Sequence, residues 1–487
     1  MTITLIYDDT VAVPPDIATL TGLDHFGRLL YRKKTLASHV FAAADAAVDE
    51  VVYLQNRSDL NALKANLAFP PPDSRYIYFP ANIAVAQSLD SLAIFFRKIA
   101  LSSRDLVLTV STAPRWTGIF LVRNARMLEI VNLASTHHIG EVTSRNFADI
   151  AAIENAGLFV DLNDYSSFLE FITSHFQVRY FNEIDYDRFT VKKSSKDKEK
   201  IRREYLYFKN LPEAMQVFFV QPFDFVEEAD GASYKMERLN VPDVAIQWVH
   251  NSFSTEDFDR LLARLFNFLV SRPRKSVSRQ SAEDEHRRLY LQKVEERVVA
   301  LKTLPVFATL DGLLASATSF GGVDRLFQRY AALYAKLTRG ARASELCISH
   351  GDLCFSNILY DKRTQLLKLI DPRGGVSADE LFMDPYYDAA KLSHSILGGY
   401  DFINSGHFTT QIDNDLHLNL HLAGPDQNDK QAAFRAAVEA AGFAIDLLRL
   451  YETSLFISML PLHADDPGKL IAFALTASAI LGDLERG

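Results

Sequence analysis

The spacing of apolar positions changes character three times along this chain. Over residues 1–145, helical and strand patterns alternate. "LASHVFAAADAAV" is Ala-rich with helical spacing, and "DEVVYLQN" follows as a short β-branched run. "SLAIFFRKIAL" reads as helix, "DLVLTVSTA" as a strand closed by small residues, and "GIFLVRNARMLEIV" as a hairpin. With "MTITLIYDDT" as a first buried strand, the alternation predicts an α/β layer domain.

Residues 146–175 are polar and helical in pattern, and "NAGLFVDLNDYSSFLEFITSH" predicts a helical connector. From Phe176 the pattern turns to strands, "FQVRYFNEI" and "RFTVKKSS". A basic helix, "KDKEKIRREYLYFKNLP", stops at Pro212, and "AMQVFFVQPFDFVEE" and "ASYKMERLNVP" read as further strands. After Pro242 helices dominate, as in "EDFDRLLARLFNFLV", where Leu and Phe recur at helical spacing. "SRPRKSVSRQSAEDEHRR" has no apolar periodicity and reads as a surface loop.

Composition narrows the classes. A chain of 487 residues predicts two or three domains. Hydrophobic content of 48% and charged content of 23% fit a soluble globular protein. A net charge of -9 argues against nucleic-acid binding by bulk electrostatics, so an anionic substrate needs a local basic site. Two cysteines, Cys347 and Cys354, exclude a disulfide framework and an all-thiolate zinc site. The N-terminus lacks a basic region followed by a long apolar one, so no signal peptide is expected. The longest apolar stretch, "LIAFALTASAILG", falls short of the ~20 residues that span a bilayer. These features predict a cytoplasmic protein without a membrane span.

The chemistry concentrates in "SHGDLCFSNILYDKRTQLLKLIDPRGG", Ser349 to Gly375. His350, Asp352 and Asn357 form H-x-D-x-x-x-x-N, the spacing of a kinase catalytic loop. Phosphoryl transfer needs a carboxylate to orient the attacking hydroxyl and accept its proton, and a neutral oxygen for magnesium. Asp352 and Asn357 supply these on one loop. "ILYD", the turn-forming "KRTQ" and "LLKLID" then predict a β-hairpin returning the chain to Asp371, a hard oxygen ligand for the same magnesium. His350 reads as a brace for the loop. Two other readings stand beside this one. The Asp and Asn side chains can cap turns, or His350 and Asp352 can ligate the metal of a hydrolase.

The segment resembles the aminoglycoside phosphotransferase and choline kinase family. That family has "HGD" and an "ID" aspartate followed by something other than Phe-Gly. "MDPYYDAAKL", Met383 to Leu392, is similar to its downstream element, which implies that Asp388 braces the catalytic loop. Asp384 reads equally as a helix cap before Pro385. The resemblance implies an α+β protein-kinase-like bilobal fold, with an N-lobe over 176–240 and a helical C-lobe over 241–487. It also implies a strand lysine for the phosphates and a helical glutamate to hold it. Lys193 in "FTVKKSS" and Glu204 in "IRREYLYFKNLP" fit, since strand alternation turns Lys192 to the other face. The hinge falls on "YKMERLNVP", with backbone near Glu237 to Leu239 meeting adenine. "RYFNEIDYDRF", at the phosphate loop, contains no glycine.

"KKSSKDKEKI" and "SLFISMLPLHADDP" further resemble bacterial kinase-like proteins found with surface-polysaccharide biosynthesis, whose upstream domain is similar to sugar nucleotidyltransferases. Residues 1–145 would then be a degenerate form of that domain. They lack G-x-G-x-R, and "VLTVSTA" stands where a metal-binding aspartate belongs. The expected activity is an ATP- and Mg2+-dependent kinase acting on a hydroxyl of a sugar, polyol or amino alcohol. A pseudokinase-like scaffold that partners a biosynthetic enzyme is the alternative. Tyr386, Tyr387 and Tyr400 can line a choline-type site, and His463 to Asp466 can form an acidic rim for an aminoglycoside.

Overall fold

Ile3–Asp8 (β1) is buried along its whole length, which only a strand paired on both edges and covered on both faces permits. Glu50–Leu54 (β2) and Arg75–Pro80 (β3) pair with it in parallel. The computed structural model describes residues 2–31, 34–68, 74–85, 88–109, 116–134, 150–154, 157–173, 182–187, 189–339 and 344–486. The chain divides into two units, Met1–Gln177 and Val178–Gly487.

In the first unit the sheet is completed by Leu106–Thr109 (β4), Trp116–Arg123 (β5) and Ala151–Glu154 (β6), in the order β2-β1-β3-β5-β4-β6. Helices cover both faces. Leu60, Leu63 and Leu67 of Arg57–Leu67, with Met127, Ile130 and Val131 of Asn124–Ala134, pack against Ile6, Tyr78, Val107 and Phe120. On the other face Tyr7 meets Phe41 of Leu36–Ala44, and Phe79 meets Phe96 of Leu89–Ala100.

Two expectations for this unit are corrected. "GIFLVRNARMLEIV" is not a hairpin, because β5 runs directly into the helix Asn124–Ala134. The described residues of 146–175 are not a helical connector. They hold β6, which pairs with β4, and Phe159–Asp161, which pairs with Ile83–Val85 before the helix Tyr165–Thr173. Strands of four and three residues are too short to show a period of two. Part of "VLTVSTA", residues 110–113, lies outside the described residues.

The second unit begins with an antiparallel sheet of Asn182–Tyr186 (β7), Thr190–Ser195 (β8), Pro222–Glu227 (β9) and Ala232–Glu237 (β10), in the order β7-β8-β10-β9. Helix Lys198–Asn210 (α1) is capped by Asp197, and its Ile201 packs on Ala232 and Tyr234 of the sheet. "AMQVFF" forms no strand of the sheet: Glu213–Gln216 is a short helix, Phe219 makes an isolated bridge to Leu369, and pairing within the sheet starts at Pro222.

The remainder is mainly helical. Thr255–Ser271 (α2) buries Phe258, Leu261, Leu262, Leu265, Phe268 and Leu269 on one face. The stretch expected as a loop is ordered: Arg274–Ser276 is a strand, and Arg279–Arg287 is a helix capped by Ser278. That helix buries only Ala282 and His286, which leaves almost no apolar period to read. Pro467–Arg486 (α3) extends over 20 residues. By length and composition it is the one helix among the described residues that can cross a membrane, unlike the sequence-based expectation. In this structure Leu470, Phe473, Ala474, Ala477 and Leu481 are buried within the unit.

Candidate active site

Alternation along β8 decides the first side chain. Lys192 is exposed and Lys193 is buried, 2% accessible. Lys193 Nζ lies 2.7 Å from Glu204 Oε2 on α1 and 2.9 Å from Asp371 Oδ1. Tyr234 OH on β10 donates to the same Glu204 oxygen at 3.2 Å. Burial works against the lysine's charge, but Asp371, Tyr234 and Glu204 outweigh it and raise its pKa. Burial pushes the Glu204 carboxyl up, and Lys193 opposes the shift.

Asp371 arrives through the expected hairpin. Ile358–Asp361 pairs with Leu366–Leu369, and Asp361 closes the turn by accepting from Arg363 N–H and Thr364 Oγ1. At the hairpin's open end Ile370 N–H donates to Asn357 O, so Asn357 and the residue before Asp371 are hydrogen-bonded. Asp371 has φ +56°, a conformation Asp tolerates better than most residues. Asn357 turns its NH2 toward Asp352, donating to the backbone oxygen at 2.8 Å and to Oδ2 at 3.2 Å. Its Oδ1 is the atom left for a cation.

The "HGD" turn is held from behind. Asp388 accepts from His350 N–H at 2.9 Å and Gly351 N–H at 2.8 Å. His350 Nδ1 accepts from Asp352 N–H at 3.2 Å, so its proton resides on Nε2, which donates to Ile370 O at 2.9 Å. Burial lowers the His350 pKa and favours this neutral ring. Gly351 has φ +78°, and a Cβ there would come within 2.6 Å of Arg373 Cβ. Only glycine fits that position. His350 therefore ties the Asp352 loop to the strand end that presents Asp371.

Among the described residues no hydrogen bond or ion pair joins Glu237 or Leu239 to this cluster. Glu237 ends β10 exposed, opposite Thr190, and Leu239 is half-buried two residues on. The start of "RYFNEIDYDRF", residues 179–181, lies outside the described residues. Asp384 accepts from Tyr386 N–H and Tyr290 OH, and burial raises its pKa to about 6. It accepts the first N–H of the helix Tyr386–Ile396 from one residue before the cap, which is Pro385 and not Asp384.

Two residues here escaped the sequence reading. Arg272 is buried with Asp388, NH1 to Oδ2 at 2.8 Å, and donates through NH2 to Pro385 O and through Nε to Leu269 O. It lies in "SRPRKS", where its basic neighbours disguise it. Lys391 Nζ lies 2.9 Å from Asp352 Oδ1. Its signal was present: Asp388 and Lys391 are three apart on the helix Tyr386–Ile396 and share a face.

No protein-family model matches this chain, and no curated protein sequence does. Solved structures resemble it at low identity. An aminoglycoside phosphotransferase, APH(3'')-Id from Streptomyces rimosus with ADP and streptomycin, is 16% identical, covering 62% of this chain and 98% of its own, with a TM-score of 0.36. A spectinomycin phosphotransferase, APH(9)-Ia with ADP and spectinomycin, is 12% identical over 64% and 91%, with a TM-score of 0.39. An aminoglycoside phosphotransferase, APH(4)-Ia with AMP-PNP and hygromycin B, is 14% identical over 65% and 98%, with a TM-score of 0.38. Likenesses this distant carry no functional argument, and the site is read from its own geometry.

Proposed function

We propose that the unit Val178–Gly487 is a phosphotransferase that moves the terminal phosphoryl group of ATP to a hydroxyl of a small molecule. The observation that carries the reading is the convergence of Lys193, Glu204 and Asp371. A lysine on one strand and an aspartate 178 residues later share an ion pair at 2.9 Å, and a buried glutamate fixes the lysine. A buried lysine held this way is a fixed positive charge for phosphate oxygens.

Asp352 stands on the loop hydrogen-bonded to the Asp371 strand end. It orients the acceptor hydroxyl and takes its proton, while Lys391 fixes one of its oxygens. The donors Asn357 Oδ1 and Asp371 form a hard-oxygen pair that would hold magnesium. Bound there, magnesium supplies charge neutralisation on the phosphates. The backbone from Glu237 to Leu239 is the proposed adenine contact. A sugar or polyol acceptor would place the reaction in surface-polysaccharide biosynthesis in the cytoplasm.

The test is calorimetric titration of the full chain with ATP, with and without magnesium, followed by ADP release over a panel of acceptors. Magnesium-dependent binding with acceptor-dependent ADP release is expected. Nucleotide binding without release on any acceptor would favour the scaffold, and no nucleotide binding would sink both.

A further inference from the structure

Basic side chains gather around Lys391 and Tyr387, on the helix beside Asp352. Lys391 pairs with Asp352 directly. One turn earlier on the same helix Tyr387 is buried, with its hydroxyl 2.9 Å from Lys293 Nζ. Lys293 also lies 5.4 Å from the Tyr387 ring centroid. Burial opposes ionisation of the phenol, yet Lys293, Lys391 and Arg373 bring it down to about 8. Four basic residues act on this point, since Arg288 also feels the Tyr387 charge.

Arg373 is two residues past Asp371 and exposed. Arg203, Arg288 and Arg373 line one cavity of about 80 Å3, together with Ser349, Gly374 and one carboxylate, Glu380. The cavity has room for a tetrahedral oxyanion or a few waters. Gly374 belongs to its wall because a Cβ there would meet the Arg203 backbone at 2.6 Å. Two of the arginines are already neutralised, Arg203 by Glu380 and Arg288 by Glu285, each at 2.6 Å. Among the described residues no carboxylate forms an ion pair with Lys293 or Arg373. The excess positive charge is local, in a chain whose net charge is -9.

We propose that the acceptor is itself anionic: its hydroxyl lies at Asp352, and a phosphate ester or carboxylate on the same molecule is taken by Arg373 and Lys293. The inference rests on the phosphotransferase reading and names its substrate class. A guanidinium fork suits a two-oxygen anion, and the lysine adds a point charge. A polycationic amino sugar would meet like charges here, which the site selects against.

The experiment uses the full chain with its nucleotide site filled by saturating ADP and magnesium. Inorganic phosphate is titrated by calorimetry into the wild type, Arg373→Ala and Lys293→Met. One phosphate per chain should bind, and each substitution should weaken it about tenfold, the value of a charge-assisted contact. ADP affinity should stay unchanged, which shows that the variants are folded. With ATP, sugar phosphates and sugar acids should outrun neutral polyols and amino sugars, and the faster of the two anionic groups identifies the oxyanion. Phosphate binding that is absent or indifferent to both substitutions, or faster turnover of amines, overturns the anionic acceptor. If ADP and magnesium do not bind while phosphate still depends on Arg373, the phosphotransferase reading fails and an anion site alone remains. With it goes the acceptor assignment.

Discussion

Each unit carries an aspartate pair tied to strand ends, and the two pairs have different fates. In the first unit Asp8 and Asp9, at the carboxyl end of β1, are 1% accessible. Asp8 accepts from Thr10 and from Tyr78 OH, and Asp9 from Gly27 N–H at 2.9 Å and Tyr53 OH at 2.8 Å. Their neighbours leave little for a ligand. In the second unit the side chains of Asp352 and Asp371 are 24% and 39% accessible, and each faces a lysine. Neutral donors consume a carboxylate in structure, whereas a lysine beside a half-open one leaves an electrostatic site that a substrate can enter.

The largest effect should come from Asp352→Asn. Removing a proton acceptor at the hydroxyl should cost about 10²- to 10⁴-fold in turnover. Nucleotide titration should be unaltered. Wild-type turnover by this variant on a confirmed acceptor would remove Asp352 from the chemistry and blur the contrast with Asp8 and Asp9.

Lys193→Met should cost stability as well as activity. It leaves buried Glu204 with only the half-exposed Lys200, 4.0 Å from its other oxygen, and breaking a buried pair this way destabilises by up to about 3–5 kcal/mol. Urea unfolding should show that loss, and magnesium-ATP affinity should fall with it. A fully stable variant would mean that Glu204 takes up a proton or another partner.

Asp9→Asn should behave in the opposite manner. Gly27 and Tyr53 lose a charged acceptor, which costs about 1–3 kcal/mol in a buried site. Turnover by the folded variant should equal the wild type, since the proposed transfer is assigned to residues of the second unit. Selective loss of turnover would assign that unit a part in the reaction.

The smallest effect concerns a third kind of carboxylate. Asp401 is buried, its Oδ2 has no hydrogen-bond partner among the described residues, and burial raises its pKa to about 7. Its folded pKa lies above the unfolded value of about 3.9, so its contribution to stability is complete below that value. It is lost as pH rises through about 7. Asp401→Asn should therefore gain melting temperature over the wild type between pH 5 and pH 8. A constant difference across that range would show that Asp401 does not titrate there.

Much of the site was legible because it is local. Gly351 between His350 and Asp352, the turn at Asp361 and the return to Asp371 lie within a few dozen residues, where spacing limits the geometry. Lys193 could be told from Lys192 by alternation alone. Arg272 was hidden because its partner Asp388 lies 116 residues away and its neighbours are basic. The strands at 151–154 and 159–161 were hidden because their partners, not their own composition, make them strands.

The sequence by itself determined the short elements only where local chemistry was strong: the "HGD" turn, the hairpin behind it and the polar residues at its mouth. Tertiary structure alone decided which charges meet. Lys193 with Asp371, Arg272 with Asp388, Lys391 with Asp352 and Lys293 with Tyr387 are all brought together by packing between separate elements. The physical reason is range. Hydrogen-bonded turns are set by neighbours along the chain, but a buried charge takes its partner, and its sign of local field, from whatever the fold places within a few ångströms.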